Sequence, residues 1–181
     1  MRAFLFIPFL FFCLNVSGQK IESVENDEFE NVKRIISSTE KLSKETFKDT
    51  SGQTMFYIHA EGPRIYLHLL WQARGPYIVP QGEVSYFLLD DKTKITMKSA
   101  KDVLAEPGVA STKAVRVAQV LGLDIPYYSK DIMKFIGKKV TKIRIRTSDG
   151  YKDFEVLEKN QDKIGKAIEL VCKEIVSDNV K

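Results

Sequence analysis

Cysteine is scarce in this chain, with two residues, Cys13 and Cys172. Cys13 falls inside an apolar leader, so the remaining chain has one thiol and no intramolecular disulfide is open to it. A disulfide scaffold is thereby excluded. Histidine is as rare, with His59 and His68 alone. A structural zinc site asks for four ligands and a catalytic one for at least three, and two imidazoles fall short of either. Beyond the leader no apolar run approaches the ~20 residues of a membrane-spanning helix. Charge of one sign is also lacking: 28 basic against 24 acidic residues, interspersed along the chain, argue against nucleic acid as a partner. There is no Gly-x-Ser-x-Gly elbow, no glycine-rich phosphate loop and no cofactor motif. No internal repeat or low-complexity segment appears.

What is present begins at the leader. Arg2 gives a positive start, residues 3–16 form an apolar run rich in Phe and Leu, and Val16-Ser17-Gly18 supplies small or neutral side chains at a cleavage site. This is the order of a secretory signal. The expectation is a signal over residues 1–18, export to the periplasm or beyond, and a mature soluble chain of about 160 residues starting at Gln19. Cys13 opens a second reading, as a lipoprotein acylation site. Leu10 fits that pattern, while Phe11 and Phe12 are too large where small residues are expected. Residues 19–31, acidic and polar, read as a flexible lead-in. Residues 32–178 read as a single α+β domain.

That domain reads as a series of hairpins. Val32 to Ile36, then Thr39, Lys41, Ser43 and Thr46, suggest one or two early strands. Met55 to Ala60 and Ile65 to Gln72 flank the turn Glu61-Gly62-Pro63-Arg64. Phe56, Ile58 and Ala60 on one strand and Ile65, Leu67, Leu69 and Trp71 on the other share a face only if Tyr57 pairs with His68 and His59 with Tyr66. Gly75 to Pro80 reads as a loop. In a second hairpin, Val84, Tyr86 and Leu88 alternate, Asp91 and Lys92 turn, Leu88 opposes Ile95 and Tyr86 opposes Met97. Residues 99–112 form an irregular excursion, and a long strand spans residues 114–123. Ser129 caps a short helix carrying Asp131 in its first turn. Ile132, Met133, Phe135 and Ile136 form the buried face of that helix, and Gly137 stops it. A third hairpin flanks Ser148-Asp149-Gly150. A type I′ loop at Asp-Gly would place Ile145 opposite Phe154, Ile143 opposite Val156, Arg146 opposite Asp153 and Arg144 opposite Glu155. Residues 161–176 form a helix with Ile164, Ile168, Val171, Cys172 and Ile175 on its buried stripe.

Few side chains are left to carry chemistry. Tyr57, His59, Tyr66 and His68 gather on one sheet face and are the candidate ligand-binding residues, for a small molecule or a protein partner. Glu61 is at the turn and too far along, and no other Cys, Asp or Glu shares that face within the hairpin, which argues against a metal centre there. Lys138, Lys139, Lys142, Arg144 and Arg146 form a basic stretch, partly neutralised by carboxylates across the strand. Asp90 and Asp91 lack the spacing of a calcium loop and read as turn residues. Cys172, in the middle of a buried stripe, reads as filling and not as a nucleophile. No catalytic set emerges.

Residues 86–97 (YFLLDDKTKITM) and 142–154, from Lys142-Ile143-Arg144-Ile145-Arg146-Thr147 through Gly150-Tyr151 to Phe154, give the chain a resemblance. It resembles small exported α+β proteins of unknown function from Gram-negative bacteria, over about residues 84–175. In such proteins Gly is common where Lys92 stands. The resemblance implies a fold and no site residues. The expected architecture is a twisted antiparallel sheet of seven to nine strands built from hairpins. It packs against a long C-terminal helix, with a short helix before the last hairpin. The expected function is that of an exported, non-catalytic binding or accessory module. The alternative is a hydrolase-type enzyme using His59 or His68 with a distant carboxylate.

Overall fold

The computed structural model describes residues 18–29, 31–43, 53–73, 76–107 and 121–177. Residues 1–17 of the leader, with Cys13, and Thr46, Val115 and Val117 lie outside them. The strands are β1 (Ile21–Asp27), β2 (Val32–Ser37), β3 (Glu40–Lys41), β4 (Gln53–Glu61), β5 (Arg64–Ala73), β6 (Ile78–Val79), β7 (Val84–Leu89), β8 (Lys94–Ser99), β9 (Val103–Leu104), β10 (Glu106–Pro107), β11 (Leu121–Tyr128), β12 (Val140–Thr147) and β13 (Gly150–Glu155). A 3-10 helix covers Lys130–Phe135, and α1 covers Lys163–Ser177. The main sheet runs β1-β2-β4-β5-β11-β8-β7-β12-β13, with β3 and β10 attached at its sides, and β6 pairs with β9 apart from it. Pairing is antiparallel throughout the described ladders. With α1 against the sheet, the fold is α+β.

The alternation of apolar residues dictates this arrangement. Along β4, Thr54, Phe56, Ile58 and Ala60 are buried, and along β5, Leu67, Leu69, Trp71 and Ala73. Gly62 takes φ +56° at the first position of the two-residue loop Gly62-Pro63, which suits a tight hairpin turn. The resulting register pairs Ile58 with Leu67, Tyr57 with His68 and His59 with Tyr66, as the sequence predicts. On the next strand Tyr127 aligns with Leu67, Ile125 with Leu69 and Leu123 with Trp71. Three inner rows thus cross β4, β5 and β11. Each buried side chain of this size contributes roughly 1.5–3 kcal/mol, and a one-residue slip would turn all of them toward solvent.

Several expectations need correction. Residues Ile21–Asp27, within the expected flexible lead-in, form β1, paired along its length with β2. In the second hairpin the register is one residue away from the expected one. Phe87 pairs with Ile95 and Tyr86 with Thr96, so Ser85, Phe87 and Leu89 face inward. Both faces of this strand are apolar enough to bury. Position decides, because Phe87 sits between Ile95 and Ile143, and Ile143 is followed by Phe154. These four side chains make one apolar row across four strands. Ser85, buried by the same choice, shares a 2.7 Å hydrogen bond with the Tyr127 hydroxyl. The loop is correspondingly longer, with Lys92 at φ +67° where a glycine is common.

The third hairpin is displaced by two residues, which preserves the faces. Ile143 pairs with Phe154, Arg144 with Asp153, Ile145 with Lys152 and Arg146 with Tyr151. Gly150, at φ +105°, is the one left-handed residue of the turn, so Ser148-Asp149 is the loop and the type I′ form is not adopted. The strand before the short helix also ends later than expected. Pro126, Tyr127 and Tyr128 belong to β11. The Pro126 carbonyl accepts from the Ala100 N–H, so its missing donor lies on the side away from β5 and removes no bond from the β5 ladder.

The short helix is capped by Ser129, whose hydroxyl accepts from the Asp131 N–H. It buries Ile132 and Phe135, while Met133 is exposed and Ile136 half-buried. α1 buries Ile164, Gly165, Ala167, Ile168 and Val171; Cys172 and Ile175 lie at the edge of the core. Gly165 lets α1 approach the backbone of the short helix. A Cβ there would overlap the Phe135 carbonyl oxygen and stand 3.1 Å from its carbon. The sheet curls over this core until Trp71 of β5 meets Phe154 of β13, ring centroids 5.3 Å apart, and the Leu157 N–H donates to the Leu42 carbonyl.

Candidate functional site

The inner rows of β4, β5 and β11 have outer counterparts. His59, Tyr66 and Tyr128 form one, and Tyr57, His68 and Pro126 a second. Met55, Leu70 and Asp124 form a third, and Gln53, Gln72 and Gly122 a fourth. The first two rows contain all four side chains singled out in the sequence, and the structure brings them together. Tyr57 stacks on His68 with centroids 4.4 Å apart and an interplanar angle of 19°. His59 lies 5.7 Å from His68 and 6.0 Å from Tyr66. Tyr128, absent from the expected set, adds a ring 5.5 Å from Tyr66.

The larger addition is Asp124. It stands diagonally across the β5–β11 ladder from His68, a distance that side chains span readily. His68 Nδ1 lies 2.8 Å from Asp124 Oδ1 and 2.8 Å from the Tyr57 hydroxyl. The Tyr57 hydroxyl donates to Asp124 Oδ2 at 3.0 Å. An ionised carboxylate only accepts, so the network assigns a proton to Nδ1 and leaves Nε2 outside this contact. Sequence reasoning missed Asp124 because it ended the strand at Leu123. The signal was there: the alternation Leu121, Leu123 continues through Ile125 and Tyr127, which places Asp124 on the His68 face.

The electrostatics follow from this geometry. Burial pushes the Asp124 carboxyl up. The hydrogen bonds from His68 and Tyr57, together with the His68 and Lys101 charges, outweigh burial and hold it below the usual carboxylate value. Burial, then the Asp124 charge and hydrogen bond, push the Tyr57 phenol well above its ordinary value, so it stays a donor. Burial and then the nearby His68 charge lower the His59 imidazole, which favours its neutral form.

Asp124 also lines a cleft of about 530 Å³ beside this network. Met55, Leu70, Trp71, Gln72, Gly122 and Leu123 belong to its sheet side, and residues 101–104 contribute the rest of the described lining. The Asp124 side chain is 41% exposed, so its carboxylate is reachable.

The other candidates separate from this site. Lys142 pairs with Glu155 at 2.7 Å, Arg144 with Asp153 at 2.6 Å, Arg146 with Glu83 at 3.3 Å and Lys138 with Asp91 at 2.7 Å. The expected partners of Arg144 and Arg146 are thus replaced, and the basic stretch is neutralised at four of its five positions. Cys172 has its thiol 3.9 Å from the Met133 sulfur, and burial raises its pKa. Among the described residues no group of three His, Cys, Asp or Glu side chains could hold a metal ion, and no helix is long and apolar enough to cross a membrane. Compared with known protein families, curated proteins and solved structures, the chain matches none.

Proposed function

We propose that this protein is an exported, non-catalytic binding module, and that it holds a small ligand at the Tyr57, His59, Tyr66 and His68 face and the cleft beside it. The observation that carries this reading is the Asp124 carboxylate. Two hydrogen bonds, from Tyr57 and His68, fix it at the wall of a cleft while leaving it partly open to solvent. A carboxylate has about four lone-pair sites, and the two donors leave capacity for a ligand. A fixed acceptor over apolar side chains is the composition of a small-molecule site. The leader supports export, to the periplasm or the outside.

A second reading draws on the same hydrogen bond. A histidine oriented by a carboxylate is the base half of a hydrolytic site, and His68 with Asp124 has that form. Against it, the hydrogen-bond partners of the His68 side chain among the described residues are Tyr57 and Asp124, neither of them an activated nucleophile. The raised Tyr57 pKa suits a donor.

Screening a small-molecule library against the exported protein by ¹⁵N NMR tests the two readings together. The binding reading expects hits that shift the amides of Tyr57, His68, Gly122 and Asp124, with the shifts lost in the Tyr57→Ala, His68→Ala double variant. Hits confined to other surfaces overturn it. Turnover of ester or amide substrates that disappears in His68→Gln overturns it in favour of the hydrolase.

A further inference from the structure

Gly122 occupies an unusual position. It sits in β11 opposite Gln72 and opposite Glu106 of β10. Its φ is outside the left-handed region, so the backbone does not require glycine there. Packing does not require it either, because a Cβ at this position would meet no heavy atom of the described residues within 4 Å. Glycine weakens a strand interior, and no contact with the described residues requires it at this point. What Gly122 does is leave space in the cleft that Asp124 lines. Close approach of a ligand to the backbone is one of the uses a strand glycine serves, and the open side of Gly122 faces this cleft.

The chemistry of the lining narrows what that molecule is. The apolar part is aliphatic: Met55 and Leu70 are half-buried, and Leu104 is 61% exposed. Trp71 is the aromatic residue among the described lining, and it is fully buried. Among the described lining no exposed ring is offered for stacking, which disfavours nucleobases. The charged groups are Lys101, Asp102 and Asp124. Asp102 is already engaged, accepting from the Gln81 N–H at 2.7 Å. Asp124 receives its two protein hydrogen bonds from a phenol and an imidazole, and its side chain stays partly exposed. The described lining thus carries two carboxylates, Asp102 and Asp124, against one cation, Lys101, so a further cation is the complement of the cleft.

Resting on the binding reading above, we propose that the cleft takes an aliphatic organic cation. Its ammonium sits against Asp124, and its hydrocarbon part covers Met55, Leu70 and Leu104 in the space left by Gly122. Tyr57 and His68 are positioning residues, since they aim the carboxylate and do not touch the hydrocarbon.

Calorimetric and NMR titration of the exported protein with three probes of equal length, hexylamine, hexan-1-ol and hexanoate, tests this. The expected result is saturable hexylamine binding at least tenfold tighter than either other probe. Gly122→Leu should abolish it without loss of the folded circular-dichroism signal, and Asp124→Asn should reduce the amine to the level of the alcohol. If the alcohol or the carboxylate binds as well as the amine and Gly122→Leu removes them all, the cation assignment fails while the cleft stands as a binding site. If hexylamine does not bind, or binds undiminished in both variants, the proposal is overturned. Should Gly122→Leu fail to fold, Asp124→Asn alone decides the assignment.

Discussion

Replacing Gly165 by alanine sets two physical effects against each other. In a solvent-exposed helix, Gly→Ala stabilises by about 1 kcal/mol, because alanine loses less backbone entropy. In α1 the added Cβ would fall within the van der Waals envelope of the Phe135 carbonyl oxygen and 3.1 Å from its carbon. The obstacle is backbone, so no side-chain rotation relieves it. Either α1 or the 3-10 helix must move, and both are anchored by fully buried residues such as Phe135, Ile164 and Ile168. Overpacking of this sort costs about 1–3 kcal/mol, and a rigid obstacle belongs at the upper end. The net expectation is a loss of about 2 kcal/mol, which for a chain of this size lowers Tm by roughly 4–8 °C. Thermal unfolding followed by circular dichroism measures it. A Tm equal to or above that of the parent would refute the close approach of the two helices and leave helix propensity as the dominant effect.

Two further outcomes follow from the site and the second hairpin. The Asp124 carboxyl, followed by carbon-detected NMR, should titrate below the ordinary carboxylate range, and Tyr57→Phe should move its midpoint upward by removing one of two hydrogen bonds. Because the folded pKa is the lower one, Asp124 contributes stability that is present above its unfolded pKa and lost as pH falls through its folded pKa. An unchanged midpoint in Tyr57→Phe would refute the network. Lys92→Gly should stabilise the protein by about 1 kcal/mol, since a side chain at φ +67° is strained by that order. The urea midpoint should rise with an unchanged slope, and a fall would show that the turn is not left-handed at this residue.

How far the sequence spoke for the structure depended on how strongly each turn was specified. The first hairpin was legible because its alternation is one-sided: Tyr57, His59, Tyr66 and His68 can leave the core only in one register. The second was not, because Tyr86 and Leu88 are nearly as apolar as Phe87 and Leu89. The choice between them depended on Ile143, a partner some fifty residues away. In the third, Asp-Gly pointed to a two-residue turn at Asp149-Gly150, whereas Gly150 alone adopts positive φ, beyond Ser148 and Asp149. Of the site, the tyrosines and histidines could be placed by parity within one hairpin. Asp124 required a long-range pairing and a strand running through Pro126, which local propensity reads as a break. The role proposed for Gly122 was invisible without coordinates, because it rests on the space that the described residues leave beside it.

Trp71 is the single tryptophan of the chain, stacked on Tyr77 at 4.8 Å and edge-on to Phe154. It therefore bridges the seam where the curled sheet returns upon itself. Its emission is a one-site optical gauge of that seam. A red shift on denaturation reports the moment at which the last ribbon peels from the middle of the sheet, and a lag between it and the helical signal would divide unfolding into two separable events.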